Sequence, residues 1–301
     1  MEKLLSLDFS IFAMIATGFL IRKIRLVGKE AERVITDMVL YVILPCNIFN
    51  SFLQKNEGLS GGDFLAIFLI SIGIQILAML YGKWSFPKEH PDRRVSLSYG
   101  MICSNAGFLG NAIAEGVFGA AGLQLTSLYL IPMRIMMWSE GLALYSGVSD
   151  RKATVRKVVT HPCVVACALG LLVMVTGLQI PAFLTDPVQS IGRCNTPLTM
   201  MMIGMILSGI DLKNLVDRTV VRFTIHRLVL MPLLVYLACR AVGVSHLVTG
   251  VSTLLAAMPA GATTTMMASK YNRDSQFATK LVIFSTLCSI PAIVVWSMIL
   301  S

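Results

Sequence analysis

The sequence predicts an all-α integral membrane protein of ten transmembrane helices, built as a 5+5 inverted repeat with helices 4 and 9 broken near their middles. Three observations lead there: how apolar the chain is, how its apolar residues fall into blocks, and where Gly, Pro and small polar residues interrupt two of those blocks. Hydrophobic residues fill 55% of the 301 positions and charged residues only 14%, against roughly a quarter charged in a soluble globular chain. No water-soluble fold hides that much apolar surface, so the bilayer is the expected solvent.

The blocks set the helices. Charge-free stretches run over 38–54, 64–82, 95–114, 116–133, 158–185, 194–210, 241–269 and 281–301, each at or near the roughly 20 residues that one helix needs to cross about 30 Å of hydrocarbon. Two more spans emerge once a few charges are allowed near helix ends, 5–21 and 219–240, the latter with Arg222 and Arg227 snorkelling toward one face. In order, the predicted helices cover 5–21, 34–53, 63–82, 95–118, 122–147, 160–178, 191–210, 219–240, 246–269 and 278–300. The connections are short, and no segment of soluble-domain size remains.

The net charge of +9 raises the question of a nucleic-acid partner, and the placement of the basic residues answers it. Arg22, Lys23, Arg25, Lys29 and Arg33 follow helix 1, and Lys83, Lys88, Arg93 and Arg94 follow helix 3. Arg151, Lys152, Arg156 and Lys157 follow helix 5, Lys213 and Arg218 follow helix 7, and Lys270 and Arg273 follow helix 9. The alternate connections hold little beyond Lys55, with Arg193 and Arg240 at their edges. By the positive-inside rule the basic loops lie in the cytoplasm and both termini outside. The charge sets orientation and gives no reason to expect nucleic acid.

The first apolar run carries its basic cluster after it, with only Lys3 ahead, so it reads as a retained helix and not a signal peptide. All seven cysteines fall inside apolar spans without a CxxC pair, and no His cluster has metal-ligand spacing. Cys163 and Cys167 share a helix face as packing residues. Neither disulfide, metal nor cofactor is expected.

Transporters are often inverted repeats around a site at the bilayer midplane, and five helices per half invert the second half. Laying Tyr99 on Thr253 sets Ala106 and Gly107 on Ala260 and Gly261, and a similar register brings Pro45 near Pro197. The halves so defined are 1–147 and 160–301. Both matched segments, around 103–112 and 256–265, interrupt an apolar run with Gly, Pro and small polar residues. Breaks there free backbone groups that cannot face lipid. Breaks near Gly107 to Asn111 and near Pro259 to Thr264 start both second halves at the midplane, with N-termini of partial positive charge that suit an anion. Asn105, Asn111, Thr263, Thr264 and Thr265 are placed to cap those ends or to donate to a carboxylate. Gly110 belongs to the same interruption. Close helix packing by small residues is the plainer alternative.

The runs LYVILPCNIFNSF in helix 2, NAGFLGNAIAEGVFG in helix 4, MRIMMWSEGLALY in helix 5 and AAMPAGATTTMMASKYNRD in helix 9 together resemble the auxin efflux carrier family, including its bacterial members, over essentially the whole chain. The resemblance also reaches toward the bile acid/sodium symporter-like superfamily. It implies a scaffold domain of helices 1, 2, 6 and 7 that makes a homodimer. It implies a transport domain of helices 3–5 and 8–10, where broken helices 4 and 9 cross at the substrate site and shift in an elevator-like motion. The implied activity is export of small organic anions, auxin in plants and carboxylates such as malate in bacteria, across the bacterial cytoplasmic (inner) membrane. One departure stands out. Family members usually carry a proline after the helix-4 glycines, where this chain has Asn111 and Ala112, while Pro259 is retained. The helix-4 break then rests on Gly107, Gly110 and Asn111.

Intramembrane charges are the remaining clues. Arg134 lies about 13 residues, or about 20 Å, from either end of the predicted helix 5, where an unpaired arginine costs at least about 2.5 to 3.5 kcal/mol. It is read either as an anion contact or as the structural partner of a carboxylate. Glu115 and Glu140 are candidates for proton coupling, with solvated structural roles as the alternative. Asn47 and Asn50, beyond Pro45, line the scaffold side of a path or bond between helices, and Asp37 and Gln75 bond between helices.

No HExxH, GxSxG or paired acidic motif is present, so an intramembrane enzyme is not expected. The rivals are a sodium-coupled organic anion symporter, since broken-helix carbonyls also coordinate Na⁺, and a non-transporting membrane sensor. Coupling to protons or sodium stays open on the sequence.

Overall fold

The computed structural model describes residues 2–53, 59–146, 152, 156, 159–208 and 215–300. Lys55, Arg151, Lys157 and Lys213, and the ends of the predicted helices 5 and 7, lie outside the described residues. The described residues are almost entirely helical, with one isolated bridge, Ser104 to Ala260, and no sheet. Four of their helices are long and apolar enough to cross a membrane by length and composition: Gly61–Ser85, Leu109–Met137, Arg218–Val242 and Ser275–Leu300. Tyr41–Leu53, Pro162–Thr176 and His246–Ala256 are shorter apolar helices.

The chain divides into two compact units. The first comprises Met1–Leu59, Asn111–Ser127 and Val159–Ile210. It contains α1 (Glu2–Lys23), α2 (Lys29–Met38) continuing through a π turn (Val39–Ile43) into α3 (Leu44–Leu53), and residues 111–127 of the helix that begins at Leu109. Later in the chain it adds the helices Pro162–Thr176, Ala182–Gly192 and Asn195–Ser208.

Glycine sets the closest packing in this unit. A Cβ on Gly18 would stand 1.9 Å from the Met201 carbonyl oxygen, and one on Gly204 1.9 Å from that of Ile15, so α1 and Asn195–Ser208 meet backbone to backbone. Such contacts supply the dispersion that apolar side chains cannot gain over lipid. Gly170 lies against Phe52, and Gly192 against the Asn47 backbone, which seats α3 between two more helices.

The second unit comprises Ser60–Gly110, Leu128–Val158 and Asp211–Ser301. Its α4 (Gly61–Ser85) opens with a capping box in which Ser60 and Asp63 bond each other's backbone N–H, meeting orphan donors of the first turn. α5 (Pro91–Ile102) begins with proline, whose missing N–H costs nothing there. α6 (Leu109–Trp138) starts in this unit, passes through the first and returns. At Gly119 (φ 65, ψ −155) it turns sharply, and a Cβ on Gly122 would fall 2.4 Å from the Ala114 oxygen. Residues 109–118 and 120–138 are therefore two legs, joined where only glycine is at ease.

α7 (Glu140–Ser146) follows a second break at Ser139. α8, α9 and α10 are the three later helices of the first unit already given, in chain order. α11 (Arg218–Ile225) runs through a π turn (His226–Leu230) into α12 (Met231–Val242), which ends on Gly243 in the left-handed region. α13 (His246–Ala256), α14 (Thr263–Lys270) and α15 (Ser275–Leu300) complete the unit.

Leu97, Met101, Phe223, Phe277 and Leu281 share one buried cluster of this unit. At one end Arg93 pairs with Asp274 (3.2 Å) and Asp217 (3.6 Å), Arg273 with Asp92 (2.7 Å), and Thr219 donates to Glu89 (2.7 Å). Pairs this exposed contribute about 0–1 kcal/mol each, so they mark an end more than they hold it. At the far end of α4, about 37 Å away by its 25 residues, Ser245 donates to Asp63 (2.6 Å).

Candidate functional site: two paired helix breaks

Two apolar runs come apart in the middle, and both breaks fall in the second unit. α5 ends at Ile102 and α6 begins at Leu109, with a 3₁₀ turn over Asn105–Gly107 between them. α13 ends at Ala256 and α14 begins at Thr263. The freed backbone groups meet each other. The Asn105 N–H donates to the Pro259 oxygen (2.7 Å) and the Gly261 N–H to the Cys103 oxygen (2.9 Å), flanking the antiparallel Ser104–Ala260 bridge. The Ala260 N–H donates to Ser285 Oγ (3.2 Å). A Cβ on Gly261 would lie 3.2 Å from the oxygens of both Cys103 and Ser104, so glycine permits the approach. The first break is complete without the usual proline, because the second segment supplies partners for the donor and acceptor that a helix would otherwise have satisfied.

The ends of the first halves carry partial negative charge, and a buried cation meets them. Arg227 is 3% exposed; its Nε donates to the Met258 oxygen and an Nη to the Met101 oxygen, both at 2.9 Å. This corrects the expectation that Arg227 snorkels to a helix end. The π turn His226–Leu230 carries it, and Trp296 Nε1 meets the Leu228 carbonyl (2.9 Å) in that turn. Among the described residues Arg227 forms no ion pair with a carboxylate. Charge-assisted bonds of about 1.5–3 kcal/mol each are enough to offset the roughly 2.5–3.5 kcal/mol cost of arginine within a span. Arg222 behaves as expected, reaching the Ser85 oxygen (2.8 Å) and lying over Phe86.

The second halves begin differently. Phe108, at the start of α6, gives no side-chain cap. Thr264, in the first turn of α14, is fully buried, and its hydroxyl finds no partner among the described residues. Its carbonyl oxygen lies 3.2 Å from the Tyr145 hydroxyl, which is also 3.1 Å from Ser96 Oγ. The Tyr99 ring packs edge-on against Tyr145, and its buried hydroxyl lies beside Thr263 and Cys103. Buried hydroxyls are nearly always bonded, to protein or to something else.

The model of the family described as membrane transport protein, that of the auxin efflux carriers, matches residues 4–154 and 148–297. The chain belongs to the membrane transport protein family. It is 22% identical over 299 residues to a protein of Methanocaldococcus jannaschii named as an uncharacterized transporter, covering 96% of each chain. A Methanothermobacter thermautotrophicus protein with the same description is 25% identical over 306 residues, covering 97% of this chain and 96% of its own. The chain is therefore a multi-pass membrane transport protein, not an enzyme.

In this transporter Asn105, Gly107, Gly110, Pro259, Gly261, Thr263, Thr264 and Thr265 all fall on the two breaks or the first turns beyond them, with Asn111, buried, next along α6. Arg134 is buried at 5% exposure, one turn before the break at Ser139 and not in mid-helix as the sequence suggested. Glu140 is exposed at the start of α7. Asn47 and Glu115 belong to the first unit, where Asn47 Nδ2 donates to Glu115 Oε2 (2.8 Å) and Thr196 reaches the same oxygen (3.4 Å). Arg227, Tyr99, Tyr145, Ser96 and Ser285 are the transporter's additions to the sequence-derived set. For Arg227 a signal existed, since intramembrane arginines generally face the protein interior.

Proposed function

We propose that the transporter exports small organic anions, carboxylates above all, by an elevator-like alternating-access mechanism, with the substrate held where broken helices 4 and 9 cross. The observation that carries this reading is the buried Thr264 hydroxyl in the first turn of α14, which has no partner among the described residues and lies beside a helix N-terminus whose amide groups and dipole favour an anion. Gly107, with open space where a Cβ would stand, lets the backbone approach the ligand, while Gly110 against Leu255 and Met258 and Gly261 against Cys103 and Ser104 let the two breaks pack together; Asn105, Asn111, Thr263 and Thr265 supply further donors.

The inverted repeat of 1–147 and 160–301 draws support from the pairing itself. The register that lays Ala106 on Ala260 makes Pro259 the counterpart of Asn105, and these two are bonded; a residue beside its own counterpart is what a two-fold axis produces. The two units support a scaffold of helices 1, 2, 6 and 7 and a mobile transport domain. The first unit also takes in residues 111–127, which the scaffold reading does not include.

For orientation we propose a cytoplasmic membrane with both termini outside, supported by the gathering of Arg93 and Arg273 at one end of the second unit. Gly28 and Gly61 are exposed with open space for a side chain. An impermeant maleimide added to intact cells is expected to label Gly61→Cys and to reach Gly28→Cys only after permeabilisation, above the labelling of the parent. The reverse pattern would invert the topology.

The substrate reading is tested by uptake of radiolabelled malate into proteoliposomes with and without a sodium gradient. Saturable uptake without sodium, competed by other carboxylates, is expected. Uptake that requires the sodium gradient would replace this reading with a symporter, and no carboxylate flux would remove it.

A further inference from the structure

Broken transporter helices commonly use their unwound carbonyls and half-helix C-terminal ends to bind a coupling cation. Here two such carbonyls, of Met101 and Met258, one from each break, are already bonded at 2.9 Å by one guanidinium. We propose that Arg227 is a built-in cation, standing where a coupling ion would be bound, so that the paired breaks work without sodium or any other metal cation. This rests on the reading of the breaks as the substrate site and names its coupling class.

Three features bear on it. The guanidinium is fixed on both sides, by the two carbonyls and by a π turn whose Leu228 oxygen is bonded by Trp296. Its charge is offset by no ion pair, since among the described residues no carboxylate pairs with it, and a guanidinium keeps its proton in proteins. A metal cation entering there would lose two oxygen ligands to Arg227 and meet a like charge in a poorly screening interior. An organic anion near the second-half N-termini meets a positive charge that stays with the protein throughout the cycle, where a bound sodium ion would have to enter and leave.

The test is thermal unfolding of the purified full chain in detergent, in sodium chloride and in choline chloride at equal concentration. The parent is expected to show the same Tm in both salts. Arg227→Gln is expected to unfold at lower temperature, with sodium but not choline restoring part of the loss, because the neutral amide leaves carbonyl oxygens for a cation to meet. Arg227→Lys keeps a cation and is expected to lie between, without preference between the salts. An arginine that served packing alone would lower the Tm of Arg227→Gln equally in both salts, and that result overturns the proposal. So does sodium-selective stabilisation of the parent or of Arg227→Lys, which decides the matter even if Arg227→Gln does not fold. Absence of malate flux under every condition would remove the anion reading while leaving these Tm comparisons to decide the role of Arg227.

Discussion

Replacing Gly204 by leucine is expected to leave no monodisperse protein in detergent. A Cβ at this position would stand 1.9 Å from the Ile15 oxygen and 2.7 Å from the Phe19 nitrogen, and one at Gly18 1.9 Å from the Met201 oxygen. These are backbone atoms of the facing helix, which cannot swing aside as a side-chain tip does. Overpacking of a core typically costs about 1–3 kcal/mol when side chains can adjust, and here the helices themselves must part, losing the close approach that holds helices together in lipid. Gly73 on α4 is exposed with nothing within 4 Å of a Cβ, so Gly73→Leu controls for added bulk and should behave as the parent. Size-exclusion profile and Tm in detergent are the readouts. A monodisperse Gly204→Leu protein with the parent's Tm would contradict the packing of α1 on Asn195–Ser208.

What the sequence made legible follows from which forces act locally. Apolar blocks reveal helices because the bilayer requires every backbone group to bond within its segment. The same requirement exposed the breaks, since Gly107, Gly110 and Pro259 interrupt two blocks at positions that correspond. What was missed depends on partners distant in sequence. Snorkelling was a fair reading of Arg227 on a regular helix, but the Met101 and Met258 carbonyls reach it from elsewhere in the chain. Helix 5 read as one run from 122 to 147, yet the chain breaks at Ser139, where Ser-Glu-Gly was a local hint. That moved Arg134 from mid-helix to the turn before a helix end. Nothing in the sequence singles out Tyr99 and Tyr145, because aromatic residues in a helix do not announce which groups their hydroxyls approach.

Thr264→Asp is expected to weaken an anionic substrate by about 1–3 kcal/mol, the range of charge-assisted hydrogen bonds and of a buried group left without its partner. By the usual conversion that is a factor of roughly 5 to 150 in affinity. Thr264 is fully buried in the first turn of α14, so a carboxylate there takes the amide groups and positive end of the dipole that the substrate would use. A negative side chain at a helix N-terminus is favourable for the helix itself, which separates loss of binding from loss of fold. Thr264→Asn matches the new side chain in size without its charge, and Thr264→Ser keeps the hydroxyl; both should cost far less.

The concentration dependence of malate uptake by proteoliposomes carrying parent, Thr264→Asn and Thr264→Asp proteins is the measurement that bears most directly on the paired breaks as the anion site. The prediction is half-saturation rising at least about fivefold for Asp alone. Equal half-saturation in the Asp and Asn proteins would place the substrate elsewhere, and an Asp protein that gained sodium-dependent uptake would keep the location but make its ligand a cation.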